Sequence, residues 1–187
     1  MTSIRALVSN HAKVGTSSTG CHRQGWLKPR ARYIKLNVDA SFDTETQSDA
    51  AGAILRNNSG EFVATACEFI PHVPNVAMAE AMAMRLGLKL ANFSGCHAII
   101  AESDSSEVIN LCSGQERLWN EATAIYADCV TTSALIGKVE FEHCPREANQ
   151  AAHVIASHSF NSQLSCNWAD DAPSFIWQTI VDDVTII

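Results

Sequence analysis

From residue 35 to 41 the chain reads Lys-Leu-Asn-Val-Asp-Ala-Ser, an alternation in which Leu36 and Val38 share one side of a strand with polar residues between them. Apolar runs at 50–57 and 60–70 flank Asn57-Asn58-Ser59-Gly60. Asn and Gly tolerate positive φ, so this pair predicts a hairpin and, with the first strand, an antiparallel meander. Pro-His-Val-Pro-Asn breaks the pattern at 71–75, and residues 76–93, rich in Ala, Met and Leu, predict a helix buried on nearly all sides. A short apolar strand follows at 96–104, then one or two helical turns at 105–112 and a longer helix at 117–135. An alternating strand at 138–144 and a helix at 146–159 complete the series. Three strands followed by strands joined through helices define an α/β (α+β) fold. The expected sheet is five-stranded and mixed, antiparallel first and then parallel through crossovers, with helices on both faces. The segment from Cys166, carrying Trp168, Phe175 and Trp177, is expected to pack back on this body.

At 187 residues and 47% hydrophobic content, the chain has enough material for one buried core. The pattern divides it into a basic, flexible arm (1–32), a folded domain (33–160) and a C-terminal extension (161–187). The formal net charge of −7 conceals an asymmetry: residues 1–32 hold six basic side chains and no acid, while the other seven basic and 20 acidic residues leave the remainder at −13. Such an arm suits contact with phosphates or organelle targeting. The acidic body argues against holding nucleic acid through a broad basic surface, though not through metal ions. Seven scattered cysteines without a CxxC pair give neither a disulfide framework nor a zinc site and fit a reducing intracellular compartment, nucleus or cytoplasm. No apolar run approaches the roughly 20 residues a membrane span requires.

Three carboxylates stand where carboxylates are costly. Asp is depleted in strands, so Asp39 needs a partner. Glu80 lies among Val76, Ala77, Ala79, Ala81, Ala83 and Met84; it either sits on an exposed stripe near Arg85 or Lys89 or faces a counter-charge. Asp104 ends an apolar strand, a place for chemistry in an open α/β sheet and equally a place for a helix cap. Glu102 shares its strand parity and competes for the same role. A central first strand beside the fourth, with the helix over both, brings Asp39, Glu80 and Asp104 together. Three hard oxygen donors without basic neighbours describe a site for Mg²⁺ or Mn²⁺. Nucleophilic triads find no support, since no Ser or Cys sits in a GxSxG-like elbow. Glycoside hydrolysis is disfavoured by 7% aromatic content.

These acids in this element order, with Trp26 and Pro29 ahead of KLNVDAS, then GAILRNNSGEFV, AEAMAMRLGLKLA, ESDS and PREANQAAHVIA, and with Trp168, Pro173 and Asp182 at the close, resemble the ribonuclease H superfamily over about residues 26–180. More narrowly they resemble plant type 1 ribonuclease H-like domains related to non-LTR retrotransposons. The resemblance implies a monomeric endonuclease that hydrolyses the RNA strand of RNA/DNA hybrids without sequence specificity, using two divalent ions. In it Asp39 would bridge the ions, Glu80 would hold one and help place the RNA 2′-hydroxyl, and Asp104 would help hold the other. The family's fourth acid, in an Asn-x-x-x-Asp phrase, is replaced here: Asn149 is followed by His153, which shares its helical face and suits Mn²⁺ better than Mg²⁺. The loop before that helix is short, with His143 the nearest histidine to a product-release group, and no basic insertion occurs between 93 and 118. Phosphate contacts then fall to Arg56, Arg146, Asn149, Ser41 and the arm. Two other readings are a catalytically weak or inactive domesticated domain that binds nucleic acid or protein, and a detached piece of a larger retroelement protein.

Overall fold

The computed structural model describes residues 25–115 and 122–185. A meander of β1 (Ile34–Ala40), β2 (Asp49–Arg56) and β3 (Phe62–Ile70) leads into helix α1 (Val76–Phe93). Strand β4 (Ala98–Ser103), helices α2 (Ser106–Cys112) and α3 (Thr123–Ile136), and strand β5 (Lys138–His143) follow. A short 3-10 turn then opens helix α4 (Gln150–Ser162), and β6 (Cys166–Ala169) and helix α5 (Trp177–Thr185) end the described chain. The basic arm expected at 1–32 lies partly outside the described residues, as does the start of the helix expected at 117. Its last part packs inward, with Trp26 and Pro29 buried.

The strands form one mixed sheet in the order β5-β4-β1-β2-β3-β6, with β1 antiparallel to β2 and parallel to β4. This sheet has six strands, one more than the pattern predicts. The addition, β6, pairs antiparallel with β3. Its four residues offer too short an alternation to register alone, and what fixes it is the edge that β3 presents.

The local chemistry explains the boundaries. At the hairpin, Gly60 takes φ +88, and the Asn57 side-chain oxygen accepts the amides of Ser59 and Glu61. Asn75 starts α1 by accepting the Met78 amide at 2.9 Å. Leu36, Val38, Ala53 and Leu55 face α1, α2 and α3 in the larger core, and Ile54, Cys67, Ile155 and Ile176 pack on the other face. Both faces are thus covered, so the polar residues of β1 are buried as well as the apolar ones.

Two glycines set how close the helices come. A Cβ on Gly87 of α1 would lie 2.5 Å from Val38 Cγ1, and one on Gly52 of β2 would lie 2.5 Å from the Ala156 nitrogen and 2.6 Å from the Ala152 oxygen of α4. The second contact is with backbone, which cannot rotate away.

Beyond Asp39, the polar side of β1 is a closed network. Lys35 pairs with Glu102, Asn37 donates to Glu102 at 2.9 Å, and Trp26 Nε1 donates to Asn37 at 2.9 Å. Arg56, which the sequence reading assigned to phosphate contact, is fully buried. Its guanidinium lies 3.7 Å from the centre of the Trp26 ring and pairs with Asp183 of α5 at 2.6 Å. With no face toward solvent it is not placed to meet a phosphate. Asp182, the family-like acid, is exposed, and its neighbour Asp183 makes the buried contact.

Replacing Gly52 by alanine is expected to cost about 1–3 kcal/mol in urea denaturation, because α4 must move outward. Gly25→Ala, with open space around the added carbon, should change stability by less than about 0.5 kcal/mol. Asp183→Ala leaves the Arg56 charge buried without its partner and should cost about 3–5 kcal/mol in the same measurement.

Candidate metal centre

Asp39 is the penultimate residue of the central strand, opposite Gly52 in register, and its side chain points toward α4. Glu80 comes from the second turn of α1, and Asp104 from the turn after β4. One oxygen from each of the three carboxylates lies within 4.8 Å of the others. Asp39 is buried and the other two are half-buried. Glu80 makes no ion pair with Arg85, which instead lies 3.8 Å from Asp128. Glu102 is removed from competition by Lys35.

Each neighbouring element adds one contact. Asn149, at the start of α4, donates to the Val38 carbonyl at 2.8 Å and to Asp104 Oδ1 at 3.4 Å. It is almost wholly buried, so it ties α4 to β1 and is not placed to touch nucleic acid as the sequence reading expected. One turn along, His153 Nδ1 lies 2.9 Å from Asp39 Oδ2. The histidine therefore meets the aspartate directly and is not one of the three gathered donors. His143 Nε2 is 3.1 Å from the Asp104 carbonyl oxygen at the rim. Arg146 is exposed there, and its charge acts on Asp39. Ser41 is half-buried, its backbone exchanging hydrogen bonds with Ala50.

The acids cannot all be charged cheaply. Burial pushes Asp39 up to about 6 against the opposing hydrogen bond from His153, with Asp104 adding to the rise. Burial pushes Glu80 up to about 8, and the charges of Asp39, Asp104 and Asp49 add to that. Asp49 is a residue the sequence reading missed. It is fully buried at the start of β2, and burial raises it to about 6. The nearby amides of Ser41 and Ala50 already serve each other's carbonyls, which leaves its carboxyl without a well-formed hydrogen bond. An acid placed directly ahead of the apolar run 50–55 was the available signal.

The donor set fits a hard divalent cation. All three ligands are carboxylates, no cationic side chain belongs to the group, and Glu80 Oε2 is buried without a hydrogen-bond partner. A depression of about 660 Å³ opens beside it, lined by Asn75, Val76, Ala77, Glu80, Asp104, Ser105 and Glu107.

A mixed sheet with three acids converging at the end of its central strand defines a ribonuclease H fold. The family profile described as reverse transcriptase-like matches residues 37–159, and the chain belongs to that family. Solved structures share the fold. The N-terminal ribonuclease H domain of a Mycobacterium tuberculosis protein, solved as a fusion with maltose-binding protein, is 19% identical with a TM-score of 0.65, over 70% of this chain and 94% of that one. Ribonuclease H1 of Halobacterium salinarum is 20% identical with a TM-score of 0.64, over 70% of this chain and 98% of that one. The LC11 ribonuclease H1, solved in complex with an RNA/DNA hybrid, is 16% identical with a TM-score of 0.63, over 70% and 98%. No curated protein matches the sequence.

The raised carboxylates give stability a definite pH sign. Between about 4.5 and about 8 the folded state keeps the Glu80 proton that the unfolded chain releases, so metal-free stability falls as pH rises through that window. Asp39 acts in the same direction up to about 6. In chelator, the melting midpoint should therefore be higher at pH 5.5 than at pH 8, and Glu80→Gln should flatten the segment from about 6 to 8. Mg²⁺ or Mn²⁺ should raise the midpoint more at pH 8 than at pH 5.5, since ligands bind metal deprotonated.

Proposed function

We propose that this protein is a divalent-metal-dependent endonuclease acting on the RNA strand of RNA/DNA hybrids, without base reading. The observation that carries the proposal is the meeting of Asp39, Glu80 and Asp104 oxygens within 4.8 Å at the end of the central strand. The three carboxylates would hold Mg²⁺ or Mn²⁺, two ions by the family's pattern. When bound, such ions supply Lewis-acid stabilisation of a scissile phosphate and acidify a water molecule.

The chain's own groups have separable tasks. Asp39, shielded from solvent, offers a charge whose orientation His153 fixes from one side. The imidazole can hold a proton at Nδ1 against Asp39 Oδ2, so it tunes how readily that carboxylate gives up its own. His153 acts in this proposal through Asp39, and a direct place among the ligands is the alternative the family set implies. Glu80 and Asp104 face the depression that would receive the backbone, where Asn75 and Ser105 add polar groups at its edge. A groove read by shape and 2′-hydroxyl contacts needs no base-specific side chain. Arg146 is the exposed cation at the rim, and with the N-terminal arm it would meet phosphates. We infer a monomer in an intracellular compartment. No helix among the described residues is long and apolar enough to cross a membrane.

One observation favours a second reading, a domain that binds hybrid without cutting it. Arg56 is buried and Arg30 is paired with Glu140, which leaves few cations facing the site among the described residues of an acidic body. Incubation of the purified full chain with labelled RNA/DNA hybrid and either Mg²⁺ or Mn²⁺ separates the two. Cleavage of the RNA strand is expected, with Asp39→Asn slower by at least about 100-fold and His153→Ala slower by about 10- to 100-fold. Retained hybrid binding without cleavage in either metal would establish the second reading, and equal cleavage by Asp39→Asn would place the chemistry elsewhere.

A further inference from the structure

Among the described cysteines, Cys67 of β3 and Cys166 of β6 stand directly opposite each other in an antiparallel register. Directly opposed residues on antiparallel strands project to the same face with Cα atoms about 4.5–5.5 Å apart. A disulfide spans Cα separations of about 4.4–6.8 Å. Both thiols are free, and both belong to the apolar cluster under α4 and α5 that holds Ile54, Ile155 and Ile176. The Cys67 sulfur lies 3.6 Å from the Leu164 carbonyl, in the turn that delivers the chain from α4 to β6. The two sulfurs therefore need no change of register or of face to meet.

We propose that Cys67 and Cys166 are a reversible oxidation site that closes into a disulfide and staples β6 to β3. The two thiols differ in access: Cys67 is buried and Cys166 is half-buried. Burial also pushes the Cys67 thiol up, which disfavours it as the first thiolate to react. With a peroxide as oxidant, the Cys166 thiolate attacks one peroxide oxygen, the O–O bond breaks, and a sulfenic acid and hydroxide result; the hydroxide takes up the proton that the Cys166 thiol had released and becomes the first water. The Cys67 sulfur then attacks the Cys166 sulfur, the S–O bond breaks, and the departing hydroxide takes the Cys67 proton as a second water. Two electrons pass from the pair of thiols to one peroxide, and a small-molecule thiol reverses the bond.

The staple would close a loop of about 100 residues, a span for which cross-linking restricts the unfolded chain strongly. It would also pin the C-terminal end of α4 and the segment that carries Asp183 to Arg56. Neither cysteine touches the acid cluster, so this inference stands independently of the proposed nuclease activity.

The test uses the wild-type full chain. After treatment with hydrogen peroxide and alkylation of the remaining thiols, trypsin cleaves behind Arg56, Arg85 and Arg146, and fragments 57–85 and 147–187 each carry a single cysteine. A covalent pair of these two fragments is expected under non-reducing conditions, released by dithiothreitol. The melting midpoint of the oxidised protein should rise by about 5–10 °C and fall back on reduction. Cys166→Ser should lose both the linked pair and the shift. Recovery of the two fragments apart with both cysteines alkylated, or of either joined to another cysteine, overturns the proposal. Because fragment mapping is done on the unmutated chain, the result holds even where a serine variant folds poorly.

Discussion

The acid end of the sheet depends on how closely two helices approach two strands. Gly87 lets α1 settle onto Leu36 and Val38 from one side, and Gly52 lets the α4 backbone rest on β2 from the other. Only at that separation can Glu80 reach the end of β1 from above, while Asn149 and His153 reach it from below. The polar geometry is a consequence of van der Waals contact. A methyl group at either glycine would meet atoms that a packed interior has no room to displace.

Once gathered, the carboxylates impose a cost that the rest of the fold must carry. Exclusion of water and, after it, like charges a few ångströms apart both favour the protonated forms, which is the direction in which Glu80 is displaced. His153 relieves Asp39 on one side only. A site built this way has two ways to settle, by holding protons or by holding cations, and near neutral pH the second accommodates all three charges at once. The polar network along the rest of β1 behaves differently. Lys35, Glu102, Asn37, Trp26 and Arg56 contact one another, and Asp183 meets the Arg56 charge, which makes that end of the strand structural.

Much of this was legible in the chain because its signals were local. The helix at 76–93, the Asn-Asn-Ser-Gly hairpin and the order of strands and helices follow from periodicity and turn chemistry. The question raised by an aspartate in the first strand has a physical answer in His153 and two further acids. What the sequence hid was long-range. Arg56 looks like an exposed cation ahead of a hairpin until Asp183 arrives from α5 to bury it. Asn149 looks like a polar contact residue until its amide is seen committed to the Val38 carbonyl. The partner of Glu102 is Lys35 on the neighbouring strand, a pairing that register alone determines. Strand β6 exists because an edge was available, and four residues carry no period long enough to announce it.

The joint at Arg56 also says something about connectivity. Trp26 stacks on one face of the guanidinium while Asp183 binds its rim, so the first and last described segments meet at one shared point beside the first half of β1. The reactive end of that strand lies at the opposite extremity. A circularly rearranged version, with those two positions spliced by a brief linker and new ends opened at the 57–60 hairpin, would keep every strand neighbour and leave the acidic pocket undisturbed. In this architecture, chain order and chemistry are separable properties.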